Sequence, residues 1–337
     1  MVWDMAAPED TAPEDTAPED TLEGVGEAAV LARIFPRLPV AFAQLVGPGD
    51  DAAVLTASDG RYVVTTDLMV HGPDFRLGWS TPHDLGWKAA ASNLADVAAM
   101  GARPTGLVVA IAAPPDTPVA VLEGIADGLR DCCGALASGC GVVGGDLSVS
   151  PTLTIAVTAF GDLDGRSPVL RSGASAGDVI AVAGALGEAG AALKLLFAEA
   201  VTADGRPDPS RAARLSHSTA PQLAPSPPIS AGVVAALAGA SAMLDLSDGL
   251  AIDAARLAAA SGVRVDLDSA SLGADAAAAL AGGEDHSLLA AFPRGIELPP
   301  PFRPIGRCLV GSGLSVDGEP YGGGGWDPYR GWDGGAD

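Results

Sequence analysis

Residues 80–114 read STPHDLGWKAAASNLADVAAMGARPTGLVVAIAAP. The opening residues predict a helix start. Thr81 is a natural N-cap, and Pro82 takes the first helical position, where a missing N–H costs nothing. Asp84 falls in the first turn, facing the positive end of the helix dipole. An alanine-rich body then runs to Gly101, which stops it. LVVAIAAP (107–114) is continuously apolar and reads as a buried strand, and a second helix is expected over 117–137. Helix, buried strand and helix in succession imply a mixed α/β chain.

Working outward, residues 23–36 predict a helix, GPGDDAAVL (47–55) a glycine turn, and RYVVTTDLMV (61–70) a strand. GVVGGD (141–146) is a strand end and turn, and TLTIAVTAFG (152–161) a strand. GDLDGRSP (161–168) breaks the pattern, so two domains are expected, 22–164 and 165–337. In the second, strands are expected at 178–184, 241–246, 263–268 and 282–293, with helices at 188–200 and 247–262. Residues 201–230, rich in Pro, Ser and Ala, read as a long loop with one helical piece. APEDT occurs three times in 7–21, and residues 1–21 read as a disordered acidic tail.

The 337 residues carry a formal charge of −23, and only 4% are aromatic. Nucleic acid and anionic membranes are therefore poor partners, and the core must be built from Ala, Val, Leu and Ile. No positive-then-apolar leader opens the chain, and no apolar run is long enough to span a bilayer. Cys132, Cys133, Cys140 and Cys308 form no CxxC pair, so zinc is not expected and a reducing cytoplasm is.

Several familiar patterns are decoys. Gly139–Gly144 fits GxGxxG, but a helix precedes it and a strand follows, the reverse of a dinucleotide site. Gly173–Gly177 fits GxSxG but precedes a strand. Neither lysine, Lys88 or Lys194, follows a glycine, so no P-loop exists. The four histidines are scattered, with no HExxH spacing.

What remains is aspartate at strand ends and glycine turns: Asp50–Asp51, Asp67, Asp96, Asp146 and Asp245-Leu-Ser-Asp248. Alternation puts Thr65 and Asp67 on one strand face, and i,i+3 spacing puts Asn93 and Asp96 on one helix face. Carboxylates with hydroxyls are hard-oxygen ligands of the kind Mg²⁺ takes when it bridges phosphates. Each residue singly is also an ordinary turn or cap. Together they point to a multi-metal, phosphate-handling α/β protein.

The ordered set GPGDDAAVL, VVTTDLMVHGPDF, NLADVAAMGA, VVGGD, RSGASAGD, LDLSDGL and GGEDHSL resembles the thiamine-monophosphate kinases, in the superfamily of aminoimidazole-ribotide synthetase. The resemblance covers about residues 22–330. It implies an N-terminal α/β domain whose sheet forms a homodimer and a C-terminal α/β domain over the active site. It also implies ATP as co-substrate, thiamine monophosphate as acceptor and several Mg²⁺ ions, with no protein side chain as a covalent or general-base catalyst. Matched by motif, the metal positions are Asp51, Thr65, Thr66, Asp67, Asp96, Asp146, Asp245 and Asp248. ATP contacts match Gly145, Asp146, Arg171 and Ser247, and acceptor contacts match Asp74, Glu284 and Trp326. The chain departs from the pattern in three places. SHSTAPQLAPSPP (216–228) lacks an expected arginine, Leu147–Ser150 lacks basic residues, and Pro328 stands where a histidine is usual. The alternatives are another ATP-dependent synthetase of the superfamily and a nucleotide-binding protein that has lost catalysis. Selenophosphate synthetase fits less well, because no cysteine precedes Cys132, and the hydrogenase maturation factor fits less well, because no cysteine ends the chain.

Overall fold

The computed structural model describes residues 20–48 and 53–324. In chain order the elements begin α1 (Leu22–Val25), α2 (Glu27–Ile34), β1 (Gln44–Val46), β2 (Val54–Leu55), β3 (Val63–Val70), α3 (Pro82–Ala99), β4 (Arg103–Ala113) and α4 (Val119–Leu136). They continue with β5 (Val142–Val149), β6 (Thr154–Asp162), β7 (Val179–Ala183), α5 (Glu188–Glu199), α6 (Pro209–Leu223), α7 (Ile229–Leu237) and β8 (Ala242–Leu246). The last are α8 (Leu250–Ser261), β9 (Arg264–Leu267), α9 (Ala276–Ala281), β10 (Ser287–Phe292), β11 (Arg303–Leu309), β12 (Gly313–Val316) and β13 (Glu319–Pro320).

Among the described residues the long strands make two sheets, four strands in the order β3-β6-β4-β5 and seven in the order β13-β12-β9-β11-β7-β10-β8. Pairing is mostly antiparallel, with β4–β5 and β12–β9 parallel. The fold is thus mixed α/β, as the sequence implies.

Helix α3 lies between the two sheets, and its composition explains how. The capping box forms as read: the Thr81 hydroxyl accepts from Asp84 N at 3.1 Å, and the Asp84 carboxylate accepts from Thr81 N at 2.9 Å. Ala89, Ala90, Ala91, Leu94, Ala95, Val97 and Ala98 are all buried. A helix this small in girth is approached from several sides. A Cβ on Gly86 would stand 2.0 Å from Ile125 O, and one on Gly128 would stand 2.0 Å from His83 O, so α3 and α4 touch backbone to backbone. Gly232 of α7 meets Ala98 O in the same way, at 2.1 Å.

One face of the four-stranded sheet packs on α3 through Ile155, Val157, Ala159, Leu107 and Val109. The second sheet divides its residues by strand alternation. Ala181, Ala183, Leu288 and Ala290 join the α3 core, whereas Ile180, Val182, Leu289 and Ala291 pack with Leu250, Ala254 and Leu257 of α8.

The structure departs from the sequence reading in three ways. Helix 23–36 is broken at Gly26, whose φ of 79° lies outside helical space. Residues 201–230 hold two helices, α6 and α7, with Asp208 accepting from Ser210 N and Arg211 N as the cap of α6. Asp20 and Thr21, assigned to the tail, pack on the fold, and the rest of the expected tail, 1–19, lies outside the described residues. Val119 N donates to Asp20 O at 3.0 Å, and Thr21 is 4% exposed.

Candidate active site

Strand β3 turns Thr65 and Asp67 toward α3, and the Thr65 hydroxyl donates to Asp96 Oδ2 at 2.8 Å. From the second sheet, β8 brings Asp245. The chain entering β10 brings His286, whose Nδ1 lies 3.3 Å from Asp245 Oδ2. Asp67, Asp96 and Asp245 therefore meet although they are remote in sequence, because α3 is held between the two sheets. Burial first, then the negative charges of Asp245 and Asp67, push the Asp96 carboxyl up to about 7, and the Thr65 hydroxyl offsets only part of this. Asp67 is also raised, by burial and by Asp245 against the pull of His286. For His286, burial lowers the pKa, but the hydrogen bond and charge of Asp245 outweigh it, so the net direction is up.

The loop Gly282-Gly283-Glu284-Asp285-His286 shapes one wall. Glu284 and His286 both sit at positive φ, 65° and 51°. Non-glycine residues are held there only where surroundings force it, and such strain gathers at functional sites. Glu284 N donates to Ser247 O at 2.8 Å, His286 N to Leu246 O at 3.0 Å, and the Asp285 carboxylate accepts from Ala189 N at 2.9 Å at the start of α5. Ser247 and Asp248 complete this rim, with Asp248 paired to Arg256 at 2.5 Å.

A cleft of about 170 Å³ runs past Asp67, Asn93, Ser247, Asp248 and His286. A larger cavity of about 550 Å³ lies beside it, walled by Phe75, Trp79, Leu193, Leu196, Phe197 and Leu223. Asp74, Lys88 and Glu284 line both, so the two spaces adjoin at these residues. Lys88, 6% exposed, pairs with Glu284 at 2.9 Å, and the Gln222 amide donates to the other Glu284 oxygen. Burial raises Glu284, but Lys88 and Gln222 outweigh it and hold the carboxyl below its ordinary value. Asp74 is raised, chiefly by burial, although Val70 N donates to it at 2.7 Å.

The donors suit a hard divalent cation. They are carboxylate and hydroxyl oxygens, and like charges are forced together where water is scarce. Asn93 lines the same cleft, and its carbonyl oxygen is buried with no hydrogen-bond partner. These are the ligand types Mg²⁺ prefers. Among the described residues no group of three or more His, Cys, Asp or Glu side chains is drawn together closely enough to hold a metal ion.

Other expected positions stand apart. Register aligns Asp67, Val157, Val109 and Gly145 in one row across the sheet, and Leu68, Ala156, Ala110 and Asp146 in the next. Paired residues share a face and successive residues alternate, so Asp146 points away from α3, opposite to Asp67 and three strands distant. Asp146 and Gly145 line a separate apolar cavity of about 750 Å³ near α2 and α4. A Cβ on Gly145 would lie 2.0 Å from Val109 O, which explains the glycine. The Thr66 hydroxyl donates to Val157 O at 3.0 Å, away from the carboxylate group. Arg171 is exposed on a loop beside Ser261, which donates to its carbonyl at 2.9 Å. Asp51 and Trp326 lie outside the described residues. Sequence reasoning did not single out His286, Lys88 or Gln222. The GGEDHSL motif contained the first, whereas the other two sit within an alanine helix and a proline-rich run.

Comparison with known proteins supports the same family. Residues 49–163 match the AIR synthase related protein N-terminal domain. A thiamine-monophosphate kinase of Mycobacterium tuberculosis is 45% identical, with 92% of each chain covered. That of Corynebacterium glutamicum is 41% identical, over 77% of this chain and 80% of the relative. Among solved structures, one described as AaThiL complexed with AMPPCP and TMP superposes with a TM-score of 0.69 at 31% identity, covering 82% of this chain and 90% of that one. The thiamine-monophosphate kinase of Stenotrophomonas maltophilia also gives 0.69, at 32% identity, with 87% and 95% covered. The Escherichia coli hydrogenase maturation protein HypE, at 19% identity and a TM-score of 0.61, shares the fold.

Proposed function

The chain belongs to the thiamine-monophosphate kinase family and is a phosphotransferase, and from that premise we propose direct in-line transfer of the γ-phosphoryl group of ATP to thiamine monophosphate, with several Mg²⁺ ions held at the carboxylate cleft. The observation that carries this reading is the adjoining pair of spaces. An acidic cleft rich in hard oxygens opens at Asp74, Lys88 and Glu284 into an apolar cavity of about 550 Å³.

Asp67, Asp96, Asp245 and Asp248 would hold the ions, with Thr65 orienting Asp96. Asp51 and Thr66 join this set by family resemblance alone, and Asp146, on the opposite sheet face and three strands away, is matched to it by resemblance but stands apart from the cleft. Bound there, Mg²⁺ would supply positive charge between two phosphate groups that otherwise repel. The junction residues carry two carboxylates and one ammonium, a net negative charge that suits the cationic thiazolium. The apolar walls suit the flat pyrimidine, and Trp326 is proposed to cover one ring.

An acceptor phosphate oxygen is already ionised at neutral pH, so the chain need not take a proton from it. That oxygen attacks the γ-phosphorus, the bond to the β–γ bridging oxygen breaks, and ADP departs with the electron pair. The protein's part is positioning and charge compensation. For the nucleotide we assign Ser247 at the cleft rim; Gly145, Asp146 and Arg171 are matched to it by family resemblance alone and stand apart from the cleft.

We further propose a homodimer in a reducing cytoplasm. The outer face of the four-stranded sheet supports the dimer: Val64 is 59% and Leu68 58% exposed. Large apolar side chains left exposed on a sheet face are of the kind that association covers. For location, all four cysteines are buried free thiols, and no helix of the described residues is long and apolar enough to cross a membrane.

The test is turnover. Purified protein with MgATP and thiamine monophosphate should give thiamine diphosphate and ADP in equal amounts. Turnover only with formylglycinamidine ribotide, or ATP binding with no transfer to any acceptor, would refute the assignment.

A further inference from the structure

Gln222 is 4% exposed and lines the apolar cavity, in a position the family motifs leave unassigned. Its amide is fixed in one sense. The nitrogen donates to Glu284, and an ionised carboxylate accepts but never donates, so the amide carbonyl must face elsewhere. Lys88 holds the same carboxylate at 2.9 Å, which locks Glu284 and, through it, the Gln222 rotamer. The Gln222 carbonyl oxygen is buried and has no hydrogen-bond partner. A buried acceptor left unpaired is costly, and on a residue that lines a cavity it is most simply satisfied by a donor on the ligand. Arg76, Ser80, Lys88 and Lys194 also line the cavity and carry donors, but none of them bonds this oxygen.

We propose that Gln222 determines acceptor specificity by accepting a hydrogen bond from the exocyclic amino group of the acceptor's aminopyrimidine. This rests on thiamine monophosphate being the acceptor. The cationic ring then lies at Asp74 and Glu284, with its phosphate toward Asp67 and Asp96. The pyrimidine enters the apolar cavity with its amino group at Gln222. An acceptor bearing a carbonyl in place of that amino group sets two acceptors against each other. A site built to bond an N–H rejects such an analogue strongly.

The experiment compares thiamine monophosphate with its 4-oxo analogue, oxythiamine monophosphate, as acceptors for the full chain with MgATP. Wild type should prefer the amino compound by about 50-fold in kcat/KM, mostly through KM. In Gln222→Met, an uncharged replacement of similar length, the preference should shrink to within about threefold as native turnover falls. Gln222→Asn, whose amide stops one methylene short, should discriminate to an intermediate degree. An unchanged KM for ATP shows that each variant is folded. Equal use of both acceptors by wild type overturns the proposal without any variant. An undiminished preference in a folded Gln222→Met also overturns it, because another group must then read the amino position. Absence of thiamine diphosphate from wild type and the native acceptor overturns the kinase assignment itself, a result distinct from loss of discrimination.

Discussion

Replacing Lys88 by Met tests whether the junction between the two spaces is held by a desolvated ion pair. The Lys88 side chain is 7% exposed, and its ammonium lies 2.9 Å from Glu284, whose side chain is 29% exposed. Removing one partner of a buried pair typically costs about 3–5 kcal/mol, because the other charge is left uncompensated. Glu284 keeps the Gln222 amide and some solvent, so Lys88→Met should cost less, about 2 kcal/mol. Glu284→Gln strands the more deeply buried ammonium and should cost about 3 kcal/mol. The double variant leaves neither charge unpaired, and it should be no worse than Glu284→Gln alone. The implied coupling is about 2 kcal/mol, within the range seen for contacting residues. Urea unfolding of the four proteins at pH 7, followed by far-UV circular dichroism, measures this directly. Additivity within about 0.5 kcal/mol would show that the two charges are solvated independently, and the account of the junction would fail.

Asp96→Asn should lower kcat by about 100-fold or more at saturating Mg²⁺, as loss of an electrostatic stabiliser does. Without metal its melting temperature should hold or rise, since repulsion from Asp245 and Asp67 is relieved; near-full kcat would make Asp96 a structural residue only. Leu68→Glu, on the outer sheet face, should convert dimer to monomer in light scattering, and a wild-type monomer would remove the dimer proposal. Burial raises Asp162, but bonds from Asp164 N at 2.8 Å and from Ser58 Oγ at 2.7 Å outweigh it and hold its pKa below 3.8. Its stabilisation is therefore fully present above about pH 4 and lost as pH falls through the folded value. Asp162→Ala should cost about 1–3 kcal/mol at pH 7, with a gap from wild type that closes in acid, and a pH-independent gap would contradict this.

Residues whose local signal matches their final environment were legible. Thr81, Pro82 and Asp84 declared α3 because capping is settled within one turn. The strand at β4 was plain because it is apolar throughout. Helices α6 and α7 were hidden by Pro221 and by the prolines at 225, 227 and 228. Composition argued for a loop there, and burial of Ile229, Ala231 and Ala235 overrode it. Within the site, Asp67, Asp96 and Asp245 could be proposed from spacing, but their meeting depends on how α3 lies between two sheets. The face on which Asp146 emerges depends on parallel pairing with β4 and on the irregularity between Leu107 and Val108. Gln222 was not legible at all, since its meaning lies in a missing partner.

The glycine contacts that press α3 against α4 have a consequence for substrate length. Backbones in direct contact leave no side chains to ratchet, so α3 resists sliding. Lys88 and Asp96 are eight residues apart on it, a rise of about 12 Å set by helix geometry. The interval between the ring end and the phosphoryl end is thus marked on a rigid rod. The enzyme would act as a gauge, taking acceptors whose phosphate reaches the far mark and passing over shorter or longer ones whatever their charge.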